Sequence, residues 1–141
     1  MRTIVLPAAL LCSAVLAGCT PSAAQQGRID TRAATAQTKL DAALAGLVPG
    51  KPTSCLPLSN SSQYQTEGYG PTILYKFSRG LVYRNDTNGG GCEGIARGDV
   101  LVTRQVGGQL CSGDIGTTVD STSRFQTGSC ALGRFTPYRK P

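Results

Sequence analysis

The sequence predicts an all-β fold, a small disulfide-stapled antiparallel barrel or sandwich, preceded by one amphipathic α-helix. Three observations predict it. From Gly50 onward, short runs rich in Val, Ile, Thr and aromatics are separated by Gly, Ser, Asn and Asp turn signals. The same region holds an even set of cysteines, Cys55, Cys92, Cys111 and Cys130. Ahead of it, apolar residues recur at three- and four-residue steps, the period of a helix that buries one face. The 141 residues allow one domain with a modest core rather than two.

The chain opens with Arg2 as a positive n-region and an apolar run from Ile4 to Leu16 broken only by Pro7 and Ser13, the pattern of an export signal. The run is shorter than the ~20 apolar residues a membrane span needs. Leu16-Ala17-Gly18-Cys19 resembles a bacterial lipobox. The resemblance implies a lipoprotein signal peptide over residues 1–18 and lipidation of Cys19, with a diacylglycerol thioether on Sγ and an acyl chain such as palmitate on the nitrogen. Two lipid signals already anchor a protein stably, at about 0.8 kcal/mol per buried methylene, so three chains hold it essentially permanently. In the enterobacterial sorting pattern an aspartate after the cysteine retains a lipoprotein in the inner membrane; Thr20 stands there, which points to the periplasmic face of the outer membrane. The alternative is ordinary secretion, with cleavage after Ser22-Ala23-Ala24 and a soluble periplasmic or secreted product.

Residues 19–27 are small and polar, as expected of a lipidated tether. The helix is expected over 28–48, with Ile29, Ala33, Ala36, Leu40, Ala43, Leu44 and Leu47 as its apolar stripe, Asp30 near its start and Pro49-Gly50 as its stop. A stripe half made of alanine buries little area per turn. It suits a helix laid on the domain better than a coiled coil, which needs sustained heptads of larger residues.

The β-domain is expected over 50–141, with seven short strands. The first is Ser54 to Ser59. In Thr72 to Phe77, Ile73, Tyr75 and Phe77 alternate with Thr72, Leu74 and Lys76, giving one markedly apolar face. Leu81 to Asn85 follows across Ser78-Arg79-Gly80, which fits a three-residue hairpin loop with a left-handed glycine. A second hairpin is expected from Asp99 to Val106 through Gly107-Gly108 to Gln109 to Ser112. Ile115 to Asp120 and Ser129 to Phe135 complete the set.

Export to an oxidising compartment makes the four downstream cysteines two disulfides. Four cysteines permit three pairings; the expected one joins Cys55 to Cys130, on the first and last expected strands, and Cys92 to Cys111. A zinc site or catalytic thiol is disfavoured, because the chain has no histidine and no C-x-x-C pair. The equal 19-residue spacings around Cys111 do not make a repeat, since only Cys92-Glu93-Gly94-Ile95 and Cys111-Ser112-Gly113-Asp114-Ile115 look alike.

The search for chemistry returns mostly exclusions. Without histidine there is no Ser-His-Asp or Cys-His relay. No S-x-x-K occurs, and Gly89-Gly90-Gly91 lacks the Lys-Ser or Lys-Thr that a phosphate loop requires. Glu67, Glu93, Asp99, Asp114 and Asp120 are nominal carboxylates for glycoside cleavage, but sequence cannot pair them. Asp114, beside Gly113, reads more simply as an acceptor of backbone hydrogen bonds at a turn. Asn60-Ser61-Ser62 and Asn85-Asp86-Thr87 match the glycosylation pattern, without meaning in a bacterial lipoprotein. No catalytic residue, metal ligand or cofactor is expected. Once Arg2 leaves with the signal, 13 basic residues face 8 acidic ones, a net +5 with the amino terminus acylated. The basic residues are dispersed from Lys51 to Lys140, unlike a nucleic-acid-binding patch, although anionic lipid headgroups would attract them.

Gly50-Lys51-Pro52 with Cys55, Gly91-Cys92, Leu110-Cys111-x-Gly113-Asp114 and Cys130-x-Leu132-Gly133-x-Phe135-x-Pro137-Tyr138 together resemble a family of small Gram-negative envelope proteins known as a domain of unknown function. The resemblance covers about Leu40 to Tyr138 and implies export and an all-β domain with paired cysteines. The expected function is therefore non-enzymatic: a membrane-tethered β-domain that binds another envelope component. The alternative is a periplasmic inhibitor of a hydrolase or protease, with Asn85 to Gly91 as its exposed loop. A +5 domain would be repelled by basic lysozymes, so a protease is the better target. An enzyme such as a carboxylate-dependent glycosidase is the remaining class.

Overall fold

The computed structural model describes residues 21–57, 64–105 and 108–141. The expected signal segment, Cys19 and Thr20 lie outside these residues. So do Leu58 and Ser59 of the first expected strand, the Asn60-Ser61-Ser62 sequence, and Val106-Gly107 of the second expected hairpin.

Helix α1 (Ala23–Leu44) starts inside the expected tether. Ser22 is the reason: its Oγ accepts from the Gln25 N–H while the Gln25 side chain accepts from the Ser22 N–H at 2.9 Å, a capping box that satisfies two otherwise orphaned donors. Asp30, the expected starter, lies in the second turn, where its Oδ1 accepts from Gln26 Nε2 at 2.9 Å. The helix ends before Pro49-Gly50, because the chain turns at Gly46 with φ 76°, which frees Val48 to enter a strand. Of the expected stripe, Leu40 and Leu44 are buried and Ala36, Ala43 and Leu47 partly so, whereas Ile29 and Ala33 are exposed. The helix docks by its C-terminal half; Thr31, Arg32 and Thr35 border a hollow shared with Gly68, Tyr69 and Ala96, and residues 23–30 are exposed as a stalk about 12 Å long.

The remainder is antiparallel β-structure in two facing layers, sandwich-like and not closed into a barrel. The described strands are β1 (Val48–Pro49), β2 (Cys55–Leu56), β3 (Gln65–Tyr69), β4 (Thr72–Ser78), β5 (Leu81–Asp86), β6 (Val100–Thr103), β7 (Leu110–Cys111), β8 (Ile115–Val119), β9 (Gln126–Ala131) and β10 (Phe135–Arg139). A five-stranded sheet runs β1-β10-β5-β4-β3, a three-stranded sheet β6-β8-β9, and β2 pairs with β7. Strand β4 appears as expected, but both its faces are buried. Ile73, Tyr75 and Phe77 join the inter-sheet core with Tyr83, Leu101, Cys130, Leu132 and Phe135, while Leu74 lies with Val82 beneath Leu40 and Leu44. The layers therefore run helix, five-stranded sheet, core, three-stranded sheet. Edge-on aromatic contacts fill the core, with Tyr75 5.6 Å from Phe135 and Phe77 5.4 Å from Tyr83 between ring centroids.

Three expectations are corrected. The β4–β5 connection is a two-residue turn with a bulge between Lys76 and Ser78, so Ser78 faces Leu81 and Gly80 is not left-handed. Among the described residues, the strands on either side of Gly107-Gly108 pair elsewhere rather than with each other: β6 with β8, and β7 with β2. The expected strand Ser129 to Phe135 is two strands in different sheets, broken at Leu132–Arg134.

The cysteine pairing also differs. Cys55 bonds Cys111 and Cys92 bonds Cys130, rather than Cys55 to Cys130 and Cys92 to Cys111. The expectation made the first and last strands neighbours; instead β2 lies against β7 with Cys55 directly opposite Cys111. Cys92 reaches β9 because the preceding loop lies hard against that strand. There a Cβ on Gly128 would collide with the Gly91 carbonyl, and one on Gly91 with the Ser129 backbone. Cys92 and Cys130 are buried in the core, whereas Cys55 and Cys111 are half-buried.

Candidate interaction face

Pairing of β6 with β8 sets Val100 opposite Val119 and Val102 opposite Thr117. Side chains alternate across a strand, so Leu101, Gly116 and Thr118 turn inward while Val100, Val102, Ile115, Thr117 and Val119 turn outward. The five-stranded sheet carries a helix on its outer face; this sheet carries nothing among the described residues. Val102 is 48 % exposed, Val100 51 % and Ile115 55 %. Two hollows mark the face. One of about 630 Å³ lies among Val102, Arg104, Asp114 and Ile115, and one of about 260 Å³ among Val100, Val119, Asp120 and Arg124.

A turn between β8 and β9 completes the surface. Asp120 Oδ1 accepts from the Ser123 N–H at 2.6 Å, the Ser123 hydroxyl at 2.9 Å and the Thr122 N–H at 3.0 Å. These bonds, the Ser123 N–H first, hold the Asp120 carboxyl below its usual value. Backbone bonds from Asp120 N to Phe125 O and from Arg124 N to Asp120 O, each 3.0 Å, close the turn. Arg124 is thereby held at φ 63°, a region costly for a residue with a Cβ and retained only where the surroundings dictate it. The result is that Phe125, 75 % exposed, and Arg124 are presented to solvent on a clamped loop.

The rim charges are unequal in availability. Asp114 Oδ2 accepts from the Cys111 N–H at 2.7 Å, the turn role expected of it, and Asp120 is spent on its own loop. Arg104 and Arg124 have no carboxylate within 4.0 Å among the described residues. The face is thus an apolar strip with a cation at each end.

The nominal carboxylates do not form a catalytic pair. Glu67 lies on the helix side of the five-stranded sheet, accepting from Tyr69 and Lys76 at 2.6 Å each. The Lys76 bond, then that of Tyr69, holds its carboxyl below the usual value, while burial, then Glu67, pushes Tyr69 up to about 12. Neither group is poised near neutrality for proton transfer. Asp99 accepts from the Thr127 hydroxyl at 2.5 Å at the far end of the three-stranded sheet. Glu93 is exposed on a 3-10 segment, Glu93–Arg97. Among the described residues no three Cys, Asp or Glu side chains converge as metal ligands, and no helix is long and apolar enough to cross a membrane.

Sequence reasoning read Val100, Val102 and Ile115 only as strand residues and passed over Phe125. The signal was present: Val-Leu-Val puts apolar side chains on both faces of β6, in a domain with too little chain to cover both. No family model, no curated protein and no solved structure matches this chain.

Proposed function

We propose that this chain is a non-enzymatic envelope lipoprotein, lipidated at Cys19 on the periplasmic face of the outer membrane, that binds another envelope protein through the outer face of its three-stranded sheet. The observation that carries the reading is the Val100, Val102 and Ile115 strip, exposed beside a clamped loop that presents Arg124 and Phe125 to solvent with the Arg124 backbone in an unfavourable conformation. A stand-alone interface takes about 800 Å² per partner, and tethering both partners to one envelope raises their effective concentration so that a smaller contact can serve. The layer order fits. The helix packs on the far side of the five-stranded sheet and so leaves this strip uncovered.

The inhibitor reading has less support. Of its expected loop, Asn85 is fully buried, exchanging bonds of 2.8 and 3.0 Å with the Gly133 backbone, and Asn88 is bridged to Ala131. Only residues 88–90 form an exposed tip, little for a protease to grip.

The test places a benzoylphenylalanine photo-probe at position 125 of the full-length protein in its native envelope, and a second at Arg79 on the β4–β5 turn. A protein adduct at 125 and none at 79 is expected. Adducts at neither position would refute the binding role. Separately, Cys19→Ala should release the chain from the outer membrane fraction, and continued partition there would refute the lipid anchor.

A further inference from the structure

We propose that β6 is a docking edge, onto which an extended segment of the partner protein adds as a further strand. The segment is apolar in its middle and acidic at its ends. This rests on the proposed function and specifies how that partner is held.

The argument begins from how the molecule treats its strand edges. An unpaired edge presents backbone donors and acceptors that invite another chain, and folded proteins normally block it. Edge strand β3 has the 3-10 segment packed on its inner face, so closely that a Cβ on Gly68, opposite Ile73, would lie 2.7 Å from the Ala96 nitrogen. On the far side of the five-stranded sheet, β1 is two residues long and one of them is Pro49. Edge strand β9 is covered by the loop before Cys92, with Asn88 N to Ala131 O at 2.8 Å and Ala131 N to Asn88 O at 3.0 Å. Among the described residues, β6 carries none of the short length, proline or hydrogen-bonded cover seen at β1 and β9. It pairs with β8 alone, and among the described residues no group outside that ladder hydrogen-bonds to Val100–Thr103. It has no proline, lysine or bulge. In an antiparallel ladder every second residue directs its N–H and C=O away from the paired neighbour, so β6 offers such a set to solvent.

The side chains specify the occupant. Val100 and Val102 lie on the exposed face, so an added strand would continue the strip with its own outward apolar residues. Arg104 follows β6 at one end and Arg124 lines the hollow beside Val100 at the other, both unpaired among the described residues. Carboxylates at the two ends of the segment meet them. A second copy fits less well. Centred antiparallel pairing of two β6 strands brings each Arg104 to Asp99, whose carboxylate already accepts from Thr127 and lies 3.8 Å from Arg97.

The experiment takes the partner segment identified in the position-125 adduct, makes it as a synthetic peptide, and adds it to the purified full-length protein. Amide hydrogen exchange is then followed across residues 100–103. Strand addition predicts about tenfold slower exchange at alternate amides of β6. It also predicts about tenfold weaker peptide binding for Arg104→Glu, with none for Lys51→Glu. Binding that leaves the β6 amides unslowed would overturn strand addition while the proposed function stands. An adduct with a second copy of this chain, or a segment without acidic residues, would overturn the choice of occupant. Absence of any adduct removes the proposed function, and this inference with it.

Discussion

The two main sheets share one core and end differently on their far sides. Beyond the five-stranded sheet, Leu40 and Leu44 of the helix close over Leu74 and Val82, and the two sheet residues are 0 % and 4 % exposed. Beyond the three-stranded sheet, Val100 and Val102, on a strand of similar composition, remain about half exposed. Sheet faces in small domains are normally either covered or polar. The contrast teaches that the helix-covered sheet holds the fold together, while the outer valines contribute little to it and are available for another molecule.

The largest test of this division is mutational. Phe135→Ala, in the shared core, should lower unfolding free energy by about 3–5 kcal/mol, whereas Val102→Thr on the outer face should change it by no more than about 0.5 kcal/mol, both measured by urea titration. Equal losses at the two positions would erase the distinction.

Next come the disulfides. Replacing the core pair Cys92 and Cys130 with alanine should cost about 2–5 kcal/mol. The half-buried Cys55–Cys111 bond is the more accessible to an attacking thiolate. Limited reduction followed by alkylation and mass analysis should therefore label Cys55 and Cys111 before Cys92 and Cys130. The opposite order would mean that the core side opens more readily than the β2–β7 ladder.

The smallest effects lie in the Asp120 turn. Arg124→Gly relieves the backbone at φ 63° and should raise stability by up to about 1 kcal/mol while weakening the partner adduct at position 125. Because the folded Asp120 carboxyl titrates below its usual 3.8, its hold on the turn is present above that value and is lost as pH falls through the lower folded value. The chain contains no tryptophan, so Phe125→Trp gives a single tryptophan there, read apart from the five tyrosines by selective excitation. Its emission should change in acid before the core unfolds, and loss of both signals together would mean the turn is not an independent element.

Local structure was largely readable in the sequence, and long-range pairing was not. The alternation in Thr72–Phe77 located β4, and the residues Ser22, Gln25 and Gly46 carry the true helix ends, although Asp30 and Pro49 drew the expectation instead. Strand partners depend on which segments meet across many residues. Nothing local in Cys55 or Leu56 indicates that they face Cys111 and Leu110. The site was hidden for a related reason: Val100 and Ile115 have the composition of buried strand residues, and only the fold reveals that no layer lies over them.

The most direct measurement compares Val102→Glu with the unaltered protein in two readouts, urea unfolding and the yield of the position-125 photo-adduct in the native envelope. The account predicts unfolding free energy within about 0.5 kcal/mol of the original, because the side chain stays in water, together with loss of the adduct. Unfolding at the level of a core variant, or an undiminished adduct, would contradict it.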